Sequence, residues 1–312
     1  MRRRQLVIAA VAVVALALAL LAVSTLGEES AEPTPEAAPT DSVACGARDG
    51  ASGTFELTQG DRTWSYQVHL PAGVDDDEPV PVVYLLHGLG GSAGQMLYYT
   101  AFEEVADEHG FAVVAPQANG TPTTWDVVTP ASQEGSDMGF LRELTETVPD
   151  GWCVDGDRQY AAGLSNGSAA MFSMMCDGSF DIAAYGAVAA TFYVPDRCAD
   201  APPASFVYFH GTADRVVPFD GGETPLFPVE GVETVLPRWA EHDGCDPGPA
   251  SERIDDDVVH RTWSGCDDAR LEAYVVEGGG HTWPGATAVP WLGPTSETVA
   301  ATDVMVDFFD LD

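Results

Sequence analysis

The stretch Gly163-Leu164-Ser165-Asn166-Gly167 decides the fold, because it stands between a short apolar run and a segment of helical composition. The apolar run is Tyr160-Ala161-Ala162, and the helical segment covers residues 168–175. A strand, a G-x-S-x-G turn and a helix in this order are typical of the sharp turn that presents a nucleophilic serine at a helix N-terminus. The glycines let helix and strand pack closely, and the helix dipole favours negative charge beside the serine. The pattern predicts Ser165 as a nucleophile; the alternative is a turn that only joins two buried elements.

Apolar runs typical of strands buried on both faces alternate with helical segments along the chain. The predicted strands are 81–86, 111–115, 160–162, 184–190 and 206–211, and the predicted helices are 96–109, 139–148, 168–175 and 298–309. Two further pairs of segments, 54–57 with 63–70 and 261–263 with 271–276, are typical of antiparallel hairpins. This order predicts an α/β protein with a doubly wound, mostly parallel sheet, helices on both faces and a single domain.

The N-terminus has the composition of an export signal. Arg2-Arg3-Arg4 precedes an uncharged apolar stretch over residues 6–23, which is long for a cleaved signal and short for a membrane span. We therefore predict a signal peptide or membrane anchor over 1–26, a Pro/Ala/Glu-rich linker over 27–44 and a catalytic domain over 45–312. The predicted location is extracellular or in the cell envelope, and the only predicted membrane contact is a tether through this N-terminal segment.

All six cysteines follow the predicted signal. An even number in an oxidising compartment favours up to three disulfides among fifteen possible pairings, with free buried thiols as the alternative. The preferred pair flanks a short hairpin region and the other two follow by elimination: Cys245–Cys266, then Cys176–Cys198 and Cys45–Cys153. Because neither a C-x-x-C pair nor an H-E-x-x-H motif occurs, we predict no metal site and no cofactor.

The charge balance is strongly acidic, with 49 Asp and Glu residues against 13 Arg and Lys and a formal net charge of -36. Such a chain repels phosphate backbones and anionic lipids, which excludes nucleic-acid binding. We interpret the acid excess as adaptation to high salt, where screening makes self-repulsion tolerable. Oligomeric state is not predicted.

A serine nucleophile needs a base and a group that orients the base, in the chain order Ser, Asp or Glu, His for this type of turn. Asp214 ends His210-Gly211-Thr212-Ala213-Asp214, just after a buried strand. His281 lies in the glycine-rich stretch Gly278-Gly279-Gly280-His281-Thr282-Trp283-Pro284-Gly285, after the last core strand. These positions predict Asp214 as the orienting carboxylate and His281 as the base.

An oxyanion hole needs two backbone N–H donors. We predict Asn166, which follows the nucleophile, and Leu89 in the loop after strand 81–86, with Gly88 as the alternative to Leu89. Of the other histidines, we interpret His87 and His210 as structural. The remaining four are placed on surface segments: His69, His109, His242 and His260. The long segment 117–136 carries Trp125 and has little periodicity, which is typical of a functional loop.

Together, four motifs resemble the esterase/polyhydroxybutyrate depolymerase family, to which feruloyl and acetylxylan esterases are similar. They are Leu86-His87-Gly88-Leu89-Gly90-Gly91-Ser92, Gly163-Leu164-Ser165-Asn166-Gly167, His210-Gly211-Thr212-Ala213-Asp214 and Gly280-His281-Thr282-Trp283-Pro284-Gly285. The resemblance runs from about Cys45 to the C-terminus and implies an α/β-hydrolase fold and secreted carboxylic-ester hydrolysis by a Ser165–His281–Asp214 triad. Two departures, Ser168 in place of the usual glycine and no cysteine before Trp125, are expected near the substrate and affect specificity.

The resulting hypothesis is hydrolysis of hydroxyalkanoate polymers or oligomers, with Trp125 and Trp283 in the substrate cleft or, equally well, in the core. The first alternative is a feruloyl or acetylxylan esterase that acts on plant polysaccharide. A peptidase with the same triad is less favoured. An envelope-tethered binding protein with an inactive hydrolase fold is the alternative from a different class.

Overall fold

A computed structural model of the chain describes residues 36–37, 52–71, 79–192, 195–224 and 226–311. The strands are β1 Glu36–Ala37, β2 Gly53–Gln59, β3 Arg62–His69, β4 Val80–Leu86, β5 Ala112–Pro116, β6 Val154–Leu164, β7 Ala184–Val188, β8 Phe206–Gly211, β9 Gly221–Gly222, β10 Val229–Glu230, β11 Ala250–Asp255, β12 Val258–Thr262 and β13 Leu271–Val276. The helices are α1 Ala93–Thr100, α2 Phe102–His109, α3 Asp137–Gly151, α4 Asn166–Asp177, α5 Pro195–Cys198, α6 Val232–His242 and α7 Ala301–Phe308.

Eleven strands form one sheet in the order β1-β2-β3-β5-β4-β6-β7-β8-β13-β12-β11. The six strands from β5 to β13 in this order are parallel to one another, whereas β2–β3, β3–β5, β12–β13 and β11–β12 pair antiparallel. The predicted α/β fold with a mostly parallel sheet is thereby confirmed, as are both predicted hairpins. Because parallel strands share one orientation, the loops that follow β4, β6, β8 and β13 meet at the same edge.

The sheet separates two hydrophobic cores. Every residue of β4 is buried, and its side chains alternate: Val82 and Tyr84 pack into one core, and Val83 and Leu85 into the other. This alternation follows from the two-residue period of a strand. A strand buried on both faces is continuously apolar for this reason, which made the central strands recognisable in the sequence.

The predicted helix over 96–109 is two helices, and this boundary prediction was wrong. The chain breaks at Ala101, which has a left-handed backbone conformation with φ 55°. The carbonyl of Thr100 accepts a hydrogen bond from the Thr302 hydroxyl at 2.6 Å rather than continuing the helix. The break turns Phe102 fully into the core, where its ring packs edge-on against Trp283.

The last strand in the sheet, β11, was not predicted. All six of its residues are exposed, so it has no apolar face that a sequence pattern could reveal. It pairs only with β12, among the strands described, and forms the outer edge of the sheet.

Two of the three predicted disulfides are confirmed, Cys176–Cys198 and Cys245–Cys266. The first joins the C-terminal end of α4 to α5. The third pair includes Cys45, which lies outside the described residues and stays a prediction.

The predicted signal segment, 1–26, also lies outside the part of the chain that the structure describes. Of the predicted linker, only Glu36–Ala37 is described, and it pairs in parallel with β2. No helix within the described ranges has both the length and the apolar composition needed to cross a membrane.

Glycine at 167 is required by a close approach between α4 and the end of β4. A Cβ there would lie 2.2 Å from the Leu86 carbonyl oxygen and 2.8 Å from that of His87. We expect Gly167→Ala to lower the free energy of unfolding by about 3 kcal/mol, as for overpacked cores. Urea denaturation measures this change.

The matched control is Gly156→Ala in β6, where a Cβ would first meet the Pro149 side chain at 3.6 Å. This variant should stay within about 0.5 kcal/mol of the wild type. Equal stability of the two variants would contradict the close-contact explanation.

Candidate active site

Ser165 occupies a strained turn between β6 and α4. Its backbone has φ 57° and ψ -119°, a conformation that costs free energy for a residue with a Cβ and that is typical of functional turns. The Ser165 N–H donates to the Val188 carbonyl at 2.8 Å, and the Ser165 carbonyl accepts from Ala169 at 3.0 Å. The next strand and the first turn of α4 therefore fix the serine backbone from both sides.

Ser168 lies beneath this turn and not near the substrate, so the expectation from the sequence was wrong. Its side chain is fully buried. The hydroxyl lies 2.6 Å from the Gly163 carbonyl and accepts from the Val188 N–H at 2.8 Å. The hydroxyl thus ties α4 to β6 and β7, a structural role that glycine would not fill.

Asp214 and His281 are in direct contact. His281 Nδ1 lies 2.7 Å from Asp214 Oδ2, and both side chains are buried. The other carboxylate oxygen, Oδ1, accepts from the N–H groups of Val216 and Val217 at 2.8 and 2.9 Å. These donors fix the carboxylate, so that it holds the Nδ1 edge of the imidazole in a defined orientation.

His210 packs beneath the same carboxylate, as predicted for a structural residue. Its Nε2–H donates to the Val217 carbonyl at 2.9 Å and lies 3.4 Å from Asp214 Oδ2. The Tyr208 hydroxyl lies 2.5 Å from the other ring nitrogen of His210, Nδ1. Burial raises the pKa of Asp214, but the charges and hydrogen bonds of His281 and His210 outweigh it and hold this pKa well below its usual range.

The loop of His281 lies close to the end of β8. A Cβ at Gly211 would lie 2.2 Å from the Gly279 carbonyl, which explains a glycine at this position. Among the described residues no hydrogen bond joins the Ser165 hydroxyl to His281. In enzymes without substrate this contact is often longer than a hydrogen bond and tightens in the complex.

The two N–H groups predicted for an oxyanion hole belong to Leu89 and Asn166. Neither has a hydrogen-bond acceptor within the described part of the chain. The Gly88 backbone lies against the serine, since a Cβ at Gly88 would be 3.4 Å from Ser165 Cβ. Gly90 and Gly91, by contrast, donate to the Thr123 and Gly88 carbonyls at 2.8 and 3.0 Å. An unengaged donor directly after the strained serine, and a second one directly after Gly88, suit an oxyanion site.

The side chain of Asn166 has a function that sequence analysis missed. Its Oδ1 accepts from the Trp125 N–H at 2.7 Å, and its Nδ2 donates to the Trp125 carbonyl at 3.2 Å. Trp125 Nε1 in turn donates to the His87 carbonyl at 2.9 Å. The asparagine therefore connects the serine turn to the Leu89 loop through Trp125. A single sequence offers no signal for this contact, because it spans 41 residues.

The two tryptophans proposed for the substrate cleft are buried. Trp125 and Trp283 are 2% and 1% exposed. Trp283 Nε1 donates to the Thr302 hydroxyl at 3.1 Å, and its ring packs in the core beside Phe102. Burial favours the core-packing alternative for both residues.

Of the four histidines placed on surface segments, His109 is exposed. His69 and His260 are partly buried and lie 3.0 Å from Asp107 and 2.7 Å from Glu272. For His242 the surface interpretation was wrong: its side chain is 8% exposed and its Nδ1 lies 2.8 Å from the fully buried Asp243.

His87 is held as a neutral imidazole. Its Nδ1 donates to the Gly88 carbonyl at 2.7 Å, and its Nε2 accepts from the Ala118 N–H at 3.0 Å. A proton on Nε2 would remove the second bond. Burial lowers the pKa of His87 to about 4, and the hydrogen bond to Gly88 offsets only part of this effect.

This pKa predicts how stability depends on pH. Between the ordinary value of 6.5 and about 4, the unfolded chain binds the His87 proton and the native chain does not. The contribution of His87 to stability is therefore complete above pH 6.5 and is lost, by about 3 kcal/mol, as the pH falls to 4. In His87→Gln, denaturant titrations at several pH values should show a decline smaller by this amount. Val128→Ala, which changes a 68% exposed side chain without a titratable group, should decline like the wild type, and an unchanged decline in His87→Gln would refute the assignment.

Comparison with known proteins relates the chain to esterases. Residues 64–194 match the model of the esterase PHB depolymerase family. The chain is 26% identical to a putative esterase, NocK, of Nocardia uniformis subsp. tsuyamanensis, over 94% of this chain and 96% of that protein. It is 25% identical to feruloyl esterase D of Neurospora crassa, over 78% and 83% of the two chains.

Solved structures agree on the fold. The structure is similar to acetyl xylan esterase from Aspergillus awamori, with a TM-score of 0.61 and 15% identity over 83% of this chain and all of that one. It is also similar to an S-formylglutathione hydrolase from Agrobacterium tumefaciens, with a TM-score of 0.51 and 17% identity over 88% and 99% of the two chains. The chain has the α/β-hydrolase fold of these esterase structures, and its residues 64–194 match the esterase PHB depolymerase family.

Proposed function

We propose that Ser165, His281 and Asp214 form the catalytic triad of an exported esterase. The observation that carries this proposal is the 2.7 Å hydrogen bond between His281 Nδ1 and Asp214 Oδ2, buried at the sheet edge where the strained turn also presents Ser165. With Nδ1 engaged by the carboxylate, Nε2 is the nitrogen left to act on the serine hydroxyl. The two disulfides suit a protein that works outside the reducing cytosol.

In the proposed mechanism, Ser165 Oγ attacks the ester carbonyl while His281 Nε2 takes the hydroxyl proton. The carboxylate of Asp214 fixes the imidazole tautomer and stabilises the imidazolium, which its low pKa allows because it stays ionised. The N–H groups of Leu89 and Asn166 hold the oxyanion of the tetrahedral intermediate. His281 then protonates the departing alcohol, and water, activated by the same histidine, releases the acid from the acyl-enzyme.

Two classes of ester are candidate substrates. The sequence motifs favour hydroxyalkanoate esters, as in polyhydroxybutyrate oligomers. The names of several relatives favour feruloyl esters, since the chain is 24% identical to feruloyl esterase C of Emericella nidulans over 69% of its length; acetylated polysaccharide esters are the second part of the alternative that the sequence motifs left open. A panel of hydroxybutyrate oligomers, methyl ferulate and acetylated xylan separates these classes.

A fluorophosphonate probe tests the nucleophile. The wild-type protein should be labelled on a serine, and Ser165→Ala should abolish both labelling and ester hydrolysis. The matched control is Ser173→Ala in α4, which removes a hydroxyl that donates to the Val127 carbonyl and leaves the serine turn intact. Labelling that survives Ser165→Ala, or a wild type that is never labelled, would refute the triad; the second result would support an inactive binding protein.

The carboxylate is tested by Asp214→Asn, which keeps the shape but removes the charge and one acceptor. We expect kcat to fall by roughly 10³ to 10⁴, because the histidine loses its orienting partner and tautomer. KM should change little. Steady-state kinetics on a soluble ester measure both constants, and a decrease below about tenfold would contradict the assigned role.

The asparagine contact predicts a smaller effect on the same reaction. Asn166→Leu keeps the backbone N–H but removes the bonds to Trp125, so the Leu89 loop is no longer tied to the serine turn. We expect kcat to fall by roughly 10-fold to 100-fold, since an oxyanion donor is displaced rather than removed. Asn166→Asp, which keeps the acceptor for the Trp125 N–H, should retain more activity. Equal activity of Asn166→Leu and wild type would show that the contact does not position the donors.

A further inference from the structure

Trp291 differs from every other tryptophan in the chain. The other six, which are buried, are at most 6% exposed: Trp64, Trp125, Trp152, Trp239, Trp263 and Trp283. Trp291 is 51% exposed. This exposure leaves a large flat aromatic face open to a ring-shaped ligand.

The residues that follow Trp291 contact the backbone of the proposed base. The His281 N–H donates to the carbonyl of Leu292, the next residue after Trp291, at 2.7 Å. The neighbouring Gly280 N–H donates to the Pro294 carbonyl at 2.8 Å. The contact is close enough that a Cβ at Gly280 would lie 2.2 Å from the Leu292 carbonyl oxygen. The segment 289–294 therefore lies directly against the His281 loop.

The segment contains a closed turn, and the residues just beyond it are anchored. The Leu292 N–H donates to the Val289 carbonyl at 2.9 Å, which closes a turn around Trp291. Further along, the hydroxyls of Ser296 and Thr298 donate to the Asp257 carboxylate at 2.7 and 2.5 Å. A backbone that is fixed before binding reduces the entropy lost when a side chain on it binds a ligand.

The chemistry of the reaction identifies which part of the substrate meets this segment. His281 protonates the departing alcohol, so the alcohol half of the ester leaves beside the histidine. Resting on the proposed triad, we infer that Trp291 forms the subsite for the alcohol half and that it stacks on a neutral ring-bearing alcohol, such as the sugar of a polysaccharide ester.

The charge of the protein favours such an alcohol over a hydroxyalkanoate. A soluble hydroxyalkanoate oligomer ends in a carboxylate, and at low ionic strength, where charges are little screened, a protein with a net charge of -36 repels it. A sugar is uncharged, and its apolar ring face covers the flat indole. The inference thus selects polysaccharide esters from the two substrate classes.

The test varies the alcohol while the acyl group is constant. Ethyl acetate and a methyl O-acetyl-xylopyranoside share the acetyl group and the acyl-enzyme. For Trp291→Ala we expect KM for the sugar ester to rise ~5-fold, as for the loss of one ring-stacking contact, and kinetics on ethyl acetate to stay unchanged. Trp291→Phe should restore most of the difference.

A second series varies the acyl group with methanol as the common alcohol. The ratio of kcat/KM for methyl ferulate to that for methyl acetate should be the same in the wild type and Trp291→Ala. The control variant is Ile254→Ala, which removes a 45% exposed apolar side chain from β11 and should alter neither series.

Three results would overturn the inference. These are an unchanged KM for the sugar ester in Trp291→Ala, a change confined to the acyl series, or a wild type that prefers hydroxybutyrate oligomers to the sugar ester. Each of these results bears on Trp291 only if fluorophosphonate labels the wild type at Ser165. A wild type that is not labelled there refutes the triad instead, so failure of the Trp291 subsite and failure of the triad can be told apart.

Discussion

The site depends on backbone packed against backbone at the start of α4. Gly163 and Gly167 allow it: a Cβ at either position would lie 2.7 Å or less from a main-chain atom of the facing element. The Ser168 hydroxyl then joins the helix to β6 and β7. Because these contacts fix Ser165 from both sides, its backbone cannot move to a less strained conformation. The surrounding contacts offset the cost of that strain.

From that turn, a chain of hydrogen bonds extends to the rest of the edge. The Asn166 side chain accepts from the Trp125 N–H, and the Trp125 indole donates to the His87 carbonyl. The His87 ring in turn accepts from the Ala118 N–H at the start of the long loop. Arg197, next to the Cys176–Cys198 disulfide, donates to the Val127 carbonyl at 2.8 Å further along that loop. The loop has no regular secondary structure, yet it is fixed from several sides. Its order comes from side-chain contacts, which rigidify a site only when all partners are satisfied.

Much of this architecture was predictable from the hydrophobic pattern of the strands and from the positions of the site residues after them. The central strands are buried on both faces and therefore continuously apolar, as β4 shows. Asp214 and His281 directly follow such strands, so the parallel order of β8 and β13 brings them to one edge. The break at Ala101, the exposed strand β11 and the Asn166 contact were not predictable. Each depends on a partner distant in sequence or leaves no apolar pattern, and local propensity does not record such partners.

The outer strand β11 has a consequence for how molecules of this protein meet. Within the part of the chain that the structure describes, its outer edge has no partner strand and would accept one from another molecule, as bare sheet edges do. Its side chains are all exposed, and three of the six are charged: Glu252, Arg253 and Asp255. A second molecule that docked edge to edge would have to remove water from these charged groups. The charged border thus opposes fibre-like association, in the strand whose sequence looked least like a strand.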